Sequence, residues 1–262
     1  MDPENTSPWS SVAEAAGATG GPHREGIRIR EQLLEQVKRM GFCLMGVADP
    51  AQFEGHPRVS RSPEGDEYAP HPREIWSGCR SVVVIGLHCH GEVHDALVRF
   101  ESSRALFYME IIAHRLYRVR QWLQEEGWEA HLTEEISIKR AAVLAGLGSV
   151  GRNTLVAHPE YGSNLRFGVL LTDMDLSPDK PNDPFTAAER CADCRLCEEI
   201  CPSGAIADYQ VDFSRCVIPA AEGWLSDDEQ DILGARRIQE RGEYLEVECN
   251  LCQKVCPLNG DR

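Results

Sequence analysis

Apolar residues recur along this 262-residue chain with two different periods, which together predict a domain of mixed helices and strands. Residues 27–39 have the apolar spacing of a helix. Residues 81–87 (SVVVIGL) form an apolar run without alternation, which predicts a central strand covered on both faces. The run at 165–172 (LRFGVLLT) predicts a second strong strand. Weaker patterns predict a strand at 42–48, one or two helices over 94–126, a strand at 128–132, a helix at 138–145 and a strand at 154–158.

Segments rich in proline, glycine and serine divide the chain into parts. Residues 1–26 are expected to form a disordered tail. Residues 54–72 are expected to form a long loop of the kind that often covers a binding site. Three prolines within 175–184 indicate a linker. We therefore expect an α/β domain at 27–178 and a smaller domain at 179–262.

The cysteines of the last third have the spacing of a two-cluster ferredoxin. One run reads C-x2-C-x2-C-x3-C-P, a second reads C-x2-C-x3-C-P, and one further cysteine lies between them. In two-cluster ferredoxins the fourth cysteine of each run ligates the other cluster. This rule assigns cluster 1 to Cys191, Cys194, Cys197 and Cys256, and cluster 2 to Cys201, Cys216, Cys249 and Cys252. A structural zinc site and a disulfide scaffold are the alternatives, but zinc usually takes two C-x2-C pairs, a pattern that neither run follows.

Charge and hydropathy restrict the partners that we expect. The net charge is −15, from 42 acidic and 27 basic residues, and such a surface repels the phosphates of nucleic acids. The chain has no apolar run of the roughly 18 residues that a membrane span needs, and its start lacks the features of a signal peptide. We therefore expect a cytoplasmic protein with no nucleic-acid or membrane partner, in a compartment where thiols stay reduced.

A glycine-rich loop at 146–151 (GLGSVG) matches the pattern of a dinucleotide-binding loop but not its context. That loop requires a strand before it and a helix after it, whereas here a helical pattern precedes the glycines and a strand pattern follows them. Two interpretations stay open. The glycines form the end of a helix, or their bare backbone lets a flat cofactor approach closely.

Several segments together resemble the epoxyqueuosine reductase family, which is related to the catalytic core of reductive dehalogenases. The segments are IKRAA at 138–142, AGLGSVGRNTLV at 145–156, PEYGSNLRFGVLLTD at 159–173 and the first cysteine run. The resemblance implies an α+β fold, in which a nitroreductase-like α/β domain that binds cobalamin lies beside a ferredoxin-like domain with two [4Fe-4S] clusters. It also implies that the clusters relay single electrons to the cobalt.

The resemblance further implies which residues contact the corrinoid and which supplies a proton. The residues expected to bind the cofactor are Gly146, Gly148, Gly151, Arg152, Asn153 and Tyr161. The family carries a catalytic aspartate fourteen residues before the first glycine of the loop, a position that Leu132 occupies here. A leucine cannot donate a proton, so Glu134 and Glu135 become the catalytic candidates.

Two function hypotheses follow. The first is a cobalamin-dependent oxidoreductase that receives electrons from a ferredoxin or flavodoxin and reduces a small organic substrate. The second is a redox partner that reduces a corrinoid without substrate turnover of its own, which Leu132 favours. The chain stops six residues after Cys256, whereas longer members of the family continue into helical repeats that help to bind tRNA. For this reason, and because of the charge, we expect that epoxyqueuosine in tRNA is not the substrate.

Overall fold

The computed structural model describes residues 22–56, 68–89, 96–99, 104–182, 191, 193–212, 215–216, 245–247 and 249–259. The helices are α1 (Pro22–Arg39), α2 (Pro50–Glu54), α3 (Pro72–Ile75), α4 (Phe107–Glu125), α5 (Ile138–Leu144), α6 (Leu196–Glu199) and α7 (Leu251–Lys254), with a 3-10 turn at Pro257–Asn259. The strands are β1 (Leu44–Ala48), β2 (Ser81–His88), β3 (Ala96–Arg99), β4 (Arg104–Leu106), β5 (Ala130–Thr133), β6 (Ser149–Val150), β7 (Val156–Ala157), β8 (Leu165–Thr172), β9 (Ile206–Ala207), β10 (Gln210–Val211) and β11 (Leu245–Val247).

The α/β domain is built on a four-stranded sheet in the order β1-β2-β8-β5, in which every neighbouring pair is antiparallel. Val84 of β2 lies opposite Gly46 on one side and Val169 on the other. The central position predicted for 81–87 is therefore correct. Both faces of β2 are buried although the sheet is antiparallel, because helices pack on each side.

Two apolar cores cover the two faces of this sheet. Helices α1 and α4 supply one core, which includes Leu33 and Leu123, both fully buried. Helix α5 supplies the other, through the alanine-rich segment 141–145. Helix α4 lies close to β8 at Gly168, where an added Cβ would overlap the side chains of Ile112 and Leu116. This close approach fixes where α4 crosses the sheet.

The region predicted as one or two helices over 94–126 differs from that expectation. It begins with β3 and β4, which join β11 in a separate three-stranded sheet, and only then continues as α4. Long-range pairing with residues 245–247 decides the strand conformation, and the local pattern does not contain that partner. The predicted loop at 54–72 begins where α2 ends, although residues 57–67 lie outside the described part of the chain.

The smaller domain is a set of short elements around the cysteines, with α6 packed against α7 and the β9–β10 hairpin close to α6. The segment that leads to it is fastened to the sheet by Asp179, whose carboxylate accepts hydrogen bonds from Arg30 at 2.7 Å and from the Val47 backbone at 2.8 Å. Across the described residues, no helix combines the length and apolar character that a membrane span requires.

Candidate iron–sulfur and cofactor site

The four cysteines assigned to cluster 1 line one small cavity. Cys191, Cys194, Cys197 and Cys256 meet there, although Cys256 comes from a segment about sixty residues further along the chain. The pKa of the Cys197 thiol is raised to about 11, mainly by burial and to a smaller extent by the neighbouring Cys191, Glu198, Cys194 and Cys256. Thiols crowded in this way favour a multivalent cation that neutralises several thiolates at once, so the donor set fits an iron–sulfur cluster.

The cysteines assigned to cluster 2 also come together. The pKa of Cys252 is raised to about 12, mainly by burial and to a smaller extent by Cys249, Cys216, Cys197 and Cys201. Within the described residues, no group of His, Cys, Asp or Glu side chains is close enough to hold a single metal ion. A cubane keeps its thiolates further apart than one ion does, because four iron atoms lie between them.

The segment Gly151–Asn153 connects the α/β domain to both cysteine groups. The Arg152 backbone N–H donates to the Cys191 sulfur at 3.2 Å. The Asn153 side chain donates to the Cys252 carbonyl at 3.1 Å, and its own oxygen accepts from the Leu155 N–H. Gly151, Arg152 and Asn153 all line the cluster 1 cavity. These residues were expected at the corrinoid, whereas the structure places them at the clusters.

The other two glycines of the loop contact their own chain. Gly146 has φ of +72° after α5 and lies against the Lys180 carbonyl, as expected for the end of a helix. Gly148 has φ of +150°, and a Cβ there would lie 2.5 Å from the Ala157 carbonyl oxygen across the β6–β7 hairpin. Close packing of backbone on backbone therefore accounts for both glycines, and the placement does not support a corrinoid contact for either.

A much larger cavity, of about 580 Å³, opens between α4, α5 and β8. This volume is within the range of about 300–1,000 Å³ that is typical of small-molecule sites. Its lining is mostly apolar and includes Met109, Ile112, Leu116, Leu132 and Phe167. Of the six residues expected to bind the cofactor, none lines this cavity. A flat macrocycle with apolar faces suits this cavity better than it suits the glycine loop.

Polar side chains connect the wall of this cavity to cluster 2. Arg166 lies over the Tyr108 ring, 5.0 Å from its centre, and donates to the Gln253 side-chain oxygen at 3.1 Å. Gln253 follows Cys252 directly and is itself buried, donating to the Ser163 carbonyl at 2.6 Å. The Arg166 side chain of the cavity wall is therefore hydrogen-bonded to the residue next to Cys252, which is assigned to cluster 2.

Lys139 is a second cation of the wall, which the sequence analysis did not single out. Its ammonium donates to the Thr154 hydroxyl at 3.3 Å. The pKa of Lys139 is lowered because protein surrounds the ammonium, and the Cys252 and Cys216 thiolates oppose this shift. Many protein atoms lie around the ammonium, but the Lys139 side chain also faces the open cavity and is exposed to solvent there. Cys252 and Cys216, both assigned to cluster 2, are therefore near Lys139.

The two glutamates proposed as catalytic lie in the turn that follows β5. Thr133 is buried, and its hydroxyl accepts from the Glu135 N–H at 3.1 Å, while Ile136 anchors the far end of the turn in the core. Glu134 and Leu132 both line the cavity, whereas Glu135 does not. The position of the family aspartate therefore faces the cavity, and Glu134 is the nearby acid that also does so.

Tyr161, the last of the residues expected to bind the cofactor, and two cysteines outside the cluster domain pack against other parts of the protein. Tyr161 packs between His88 and His158, with ring centres 4.8 and 5.3 Å from its own. Cys43 and Cys79 are covered by the core, and burial raises the pKa of Cys43 to about 12 and that of Cys79 to about 11. Neither thiol has the low pKa of a nucleophile.

Comparison with known proteins agrees with this geometry. Residues 190–259 match the family model of a 4Fe-4S double cluster binding domain, which confirms the prediction from cysteine spacing. The chain is 30% identical over 273 residues to the epoxyqueuosine reductase of Synechococcus sp. (strain RCC307), covering 92% of this chain and 78% of that protein. The chain belongs to the epoxyqueuosine reductase family. As a family member it is an oxidoreductase.

Other relatives of the family are similar over most of the chain. The epoxyqueuosine reductase of Synechococcus sp. (strain CC9605) is 28% identical over 259 residues, which cover 88% of this chain and 76% of that protein. That of Bacillus anthracis is 27% identical over 260 residues, again 88% of this chain but only 65% of the relative. The chain thus spans about two thirds of the length of the Bacillus protein.

Solved structures show the same fold. An epoxyqueuosine reductase crystallised with an epoxyqueuosine-modified tRNA stem loop matches with a TM-score of 0.66 at 23% identity, over 90% of this chain and 66% of that chain. A catabolic reductive dehalogenase in complex with 3-bromo-4-hydroxybenzoic acid matches with a TM-score of 0.58 at 20% identity, over 88% of this chain and 32% of that chain. The expected α+β fold with its ferredoxin-like part is confirmed.

The comparisons conflict with two expectations drawn from charge and resemblance. Epoxyqueuosine lies within tRNA in the solved relative, whereas a small organic substrate and no nucleic-acid partner were expected for this chain. Net charge averages over the whole surface and phosphate contacts depend on local charge, so a net charge of −15 does not by itself exclude a nucleic-acid partner.

Proposed function

We propose that this protein is a corrinoid-dependent, iron–sulfur reductase of epoxyqueuosine in tRNA. When bound, the clusters supply single electrons and the corrinoid supplies the strongly reducing centre. The observation that carries the proposal is the hydrogen bond from Arg166, which lines the large cavity, to Gln253, which directly follows Cys252, a residue assigned to cluster 2. Cluster 1 receives these electrons from an external donor such as a ferredoxin or flavodoxin.

The cavity residues have three tasks in this proposal. The apolar lining holds the corrinoid and excludes water, and Arg166 and Lys139 offer hydrogen bonds and positive charge to polar groups at its edge. Glu134 supplies a proton to the substrate oxygen. Removing an epoxide oxygen to leave an alkene takes two electrons and two protons and releases one water, so a proton donor in the cavity is required.

A second function is favoured by one observation. Leu132 faces the cavity at the position where the family has its acid. If Glu134 does not replace that acid, the protein is a redox partner that reduces a corrinoid without turning over a substrate.

One pair of measurements tests the proposal and separates it from the second function. Cob(II)alamin is titrated into anaerobically reconstituted protein and followed by its visible and EPR spectra. The same protein is then incubated with cobalamin, a low-potential reductant and epoxyqueuosine-containing tRNA at several salt concentrations, and the nucleosides are analysed after digestion. We expect a changed corrinoid spectrum and the appearance of queuosine at a catalytic rate.

Each failure has a distinct meaning. A corrinoid spectrum that changes without formation of queuosine at any salt concentration contradicts the tRNA substrate and supports the redox partner. No spectral change at concentrations well above micromolar contradicts both functions, because each requires the corrinoid.

A further inference from the structure

The turn between β9 and β10 has an unusual backbone. Its two central residues, Asp208 and Tyr209, have φ of +46° and +64°. Two-residue hairpins of this kind normally use asparagine and glycine, because positive φ is unfavourable for residues with a side chain. Such strain persists only where surrounding contacts impose it. The conformation of this turn therefore depends on contacts from outside the hairpin.

Those contacts come from Glu198 and Arg152. The Asp208 backbone N–H donates to the Glu198 carboxylate at 3.1 Å, and the same oxygen of Glu198 accepts from Arg152 at 3.0 Å. The Asp208 carboxylate lies 3.7 Å from Arg152. The Arg152 guanidinium stacks on the Tyr209 ring, 4.6 Å from its centre. The Arg152 side chain is only 6% exposed, so the arginine holds the turn from within the protein.

The strained turn brings a hydroxyl to a cluster 1 ligand. The Tyr209 side chain lies beside Cys191, whose sulfur accepts the Arg152 backbone N–H at 3.2 Å. Hydrogen bonds to the sulfurs of an iron–sulfur cluster are among the factors that set its reduction potential. They stabilise the reduced cluster more than the oxidised one, because reduction adds a negative charge that is partly carried by the sulfurs.

We propose that Tyr209 and Arg152 are positioning residues that raise the reduction potential of cluster 1. Reduction adds one electron to the cluster and moves no proton. The Tyr209 hydroxyl stabilises the added charge directly. The Arg152 guanidinium acts by holding the turn and by balancing the carboxylates of Glu198 and Asp208, which would otherwise oppose reduction. This inference concerns cluster 1 alone and holds whether or not a corrinoid binds.

The test is an EPR-monitored redox titration of the full-length, anaerobically reconstituted protein carrying Tyr209→Phe. This variant keeps the ring over Arg152 and removes only the hydroxyl. We expect about a tenfold lower ratio of reduced to oxidised cluster 1 at a given potential, which is a midpoint about 59 mV more negative for a one-electron couple. The midpoint of cluster 2 should stay unchanged.

The chain offers a matched control. Tyr117 also lies against an arginine, with Arg120 4.8 Å from its ring centre, but it is exposed on α4. Tyr117→Phe should change neither midpoint. Arg152→Gln should lower the midpoint of cluster 1 further than Tyr209→Phe does. If Arg152→Gln does not retain its full iron content, Tyr209→Phe alone decides. A Tyr209→Phe protein with full iron content and an unchanged midpoint of cluster 1 overturns the proposal.

Discussion

Replacing Glu134 by glutamine should abolish most of the reductase activity while leaving the fold intact. Glu134 is exposed in the cavity, and substitutions at exposed positions usually change the free energy of unfolding by no more than about 0.5 kcal/mol. Loss of a general acid lowers the rate by about 10²- to 10⁴-fold, which corresponds to about 2.7–5.4 kcal/mol in the activation free energy. A rate effect of this size therefore reports on chemistry and not on stability.

Glu135→Gln is the matched control for this experiment. Both variants remove one negative charge from the same turn, so they change the repulsion of tRNA equally, but only Glu134 lines the cavity. Single-turnover formation of queuosine, measured anaerobically with reconstituted proteins of equal iron content, should fall for Glu134→Gln and stay near wild type for Glu135→Gln. Adding Leu132→Asp to Glu134→Gln should restore part of the rate, because it returns a carboxyl group to the position of the family aspartate. Equal rates for the two single variants would refute the assignment of Glu134.

Three further predictions concern the clusters and the core. Cys216→Ser should lower the iron content from about eight to about four per chain, because two cubanes of four irons are proposed and this residue is assigned to cluster 2 alone; iron analysis with EPR checks this. Gly168→Ala should lower the free energy of unfolding by about 1–3 kcal/mol, because the added methyl group overlaps Leu116 of α4, and denaturant titration measures it. Cys43 and Cys79 should resist iodoacetamide at pH 8 in the folded protein and react in urea, since pKa values of about 12 and about 11 leave roughly one part in 10⁴ and one part in 10³ as thiolate at that pH.

The parts of the fold that sequence predicted well are those with strong local patterns. The strands at 81–87 and 165–172 were placed to within one residue, because short, mostly apolar runs of this length leave few alternatives. The double-cluster domain was predicted because the geometry of iron ligation fixes the cysteine spacing. Strands β3 and β4 were missed because β3, which pairs with β4, also pairs with residues 245–247, and that partner is not encoded locally.

The site was predicted less completely than the fold. Arg152 and Asn153 were assigned to the corrinoid because they follow the glycines, yet their partners Cys191 and Cys252 are 39 and 99 residues away in the chain. Patterns within a short stretch of sequence do not show that residues so far apart in the chain are in contact. Lys139 and Arg166 were missed for the same reason, since only the packing of α4, α5 and β8 brings them to one cavity. The two adjacent cations Lys139 and Arg140 at the start of α5, before a fully apolar segment, were the one signal that could have suggested a role.

The buried amide of Gln253 also has a consequence for how the two parts of the protein move. It fastens the residue after a cluster ligand to the Ser163 carbonyl and the Arg166 side chain of the α/β domain. Pulling the parts away from each other would leave these groups without partners in a dry environment, at a cost of about 1–3 kcal/mol for each. In the proposed reaction this attachment holds cluster 2 close to the corrinoid, and electron tunnelling depends steeply on that separation. Control of turnover then falls to the arrival of substrate and of external electrons.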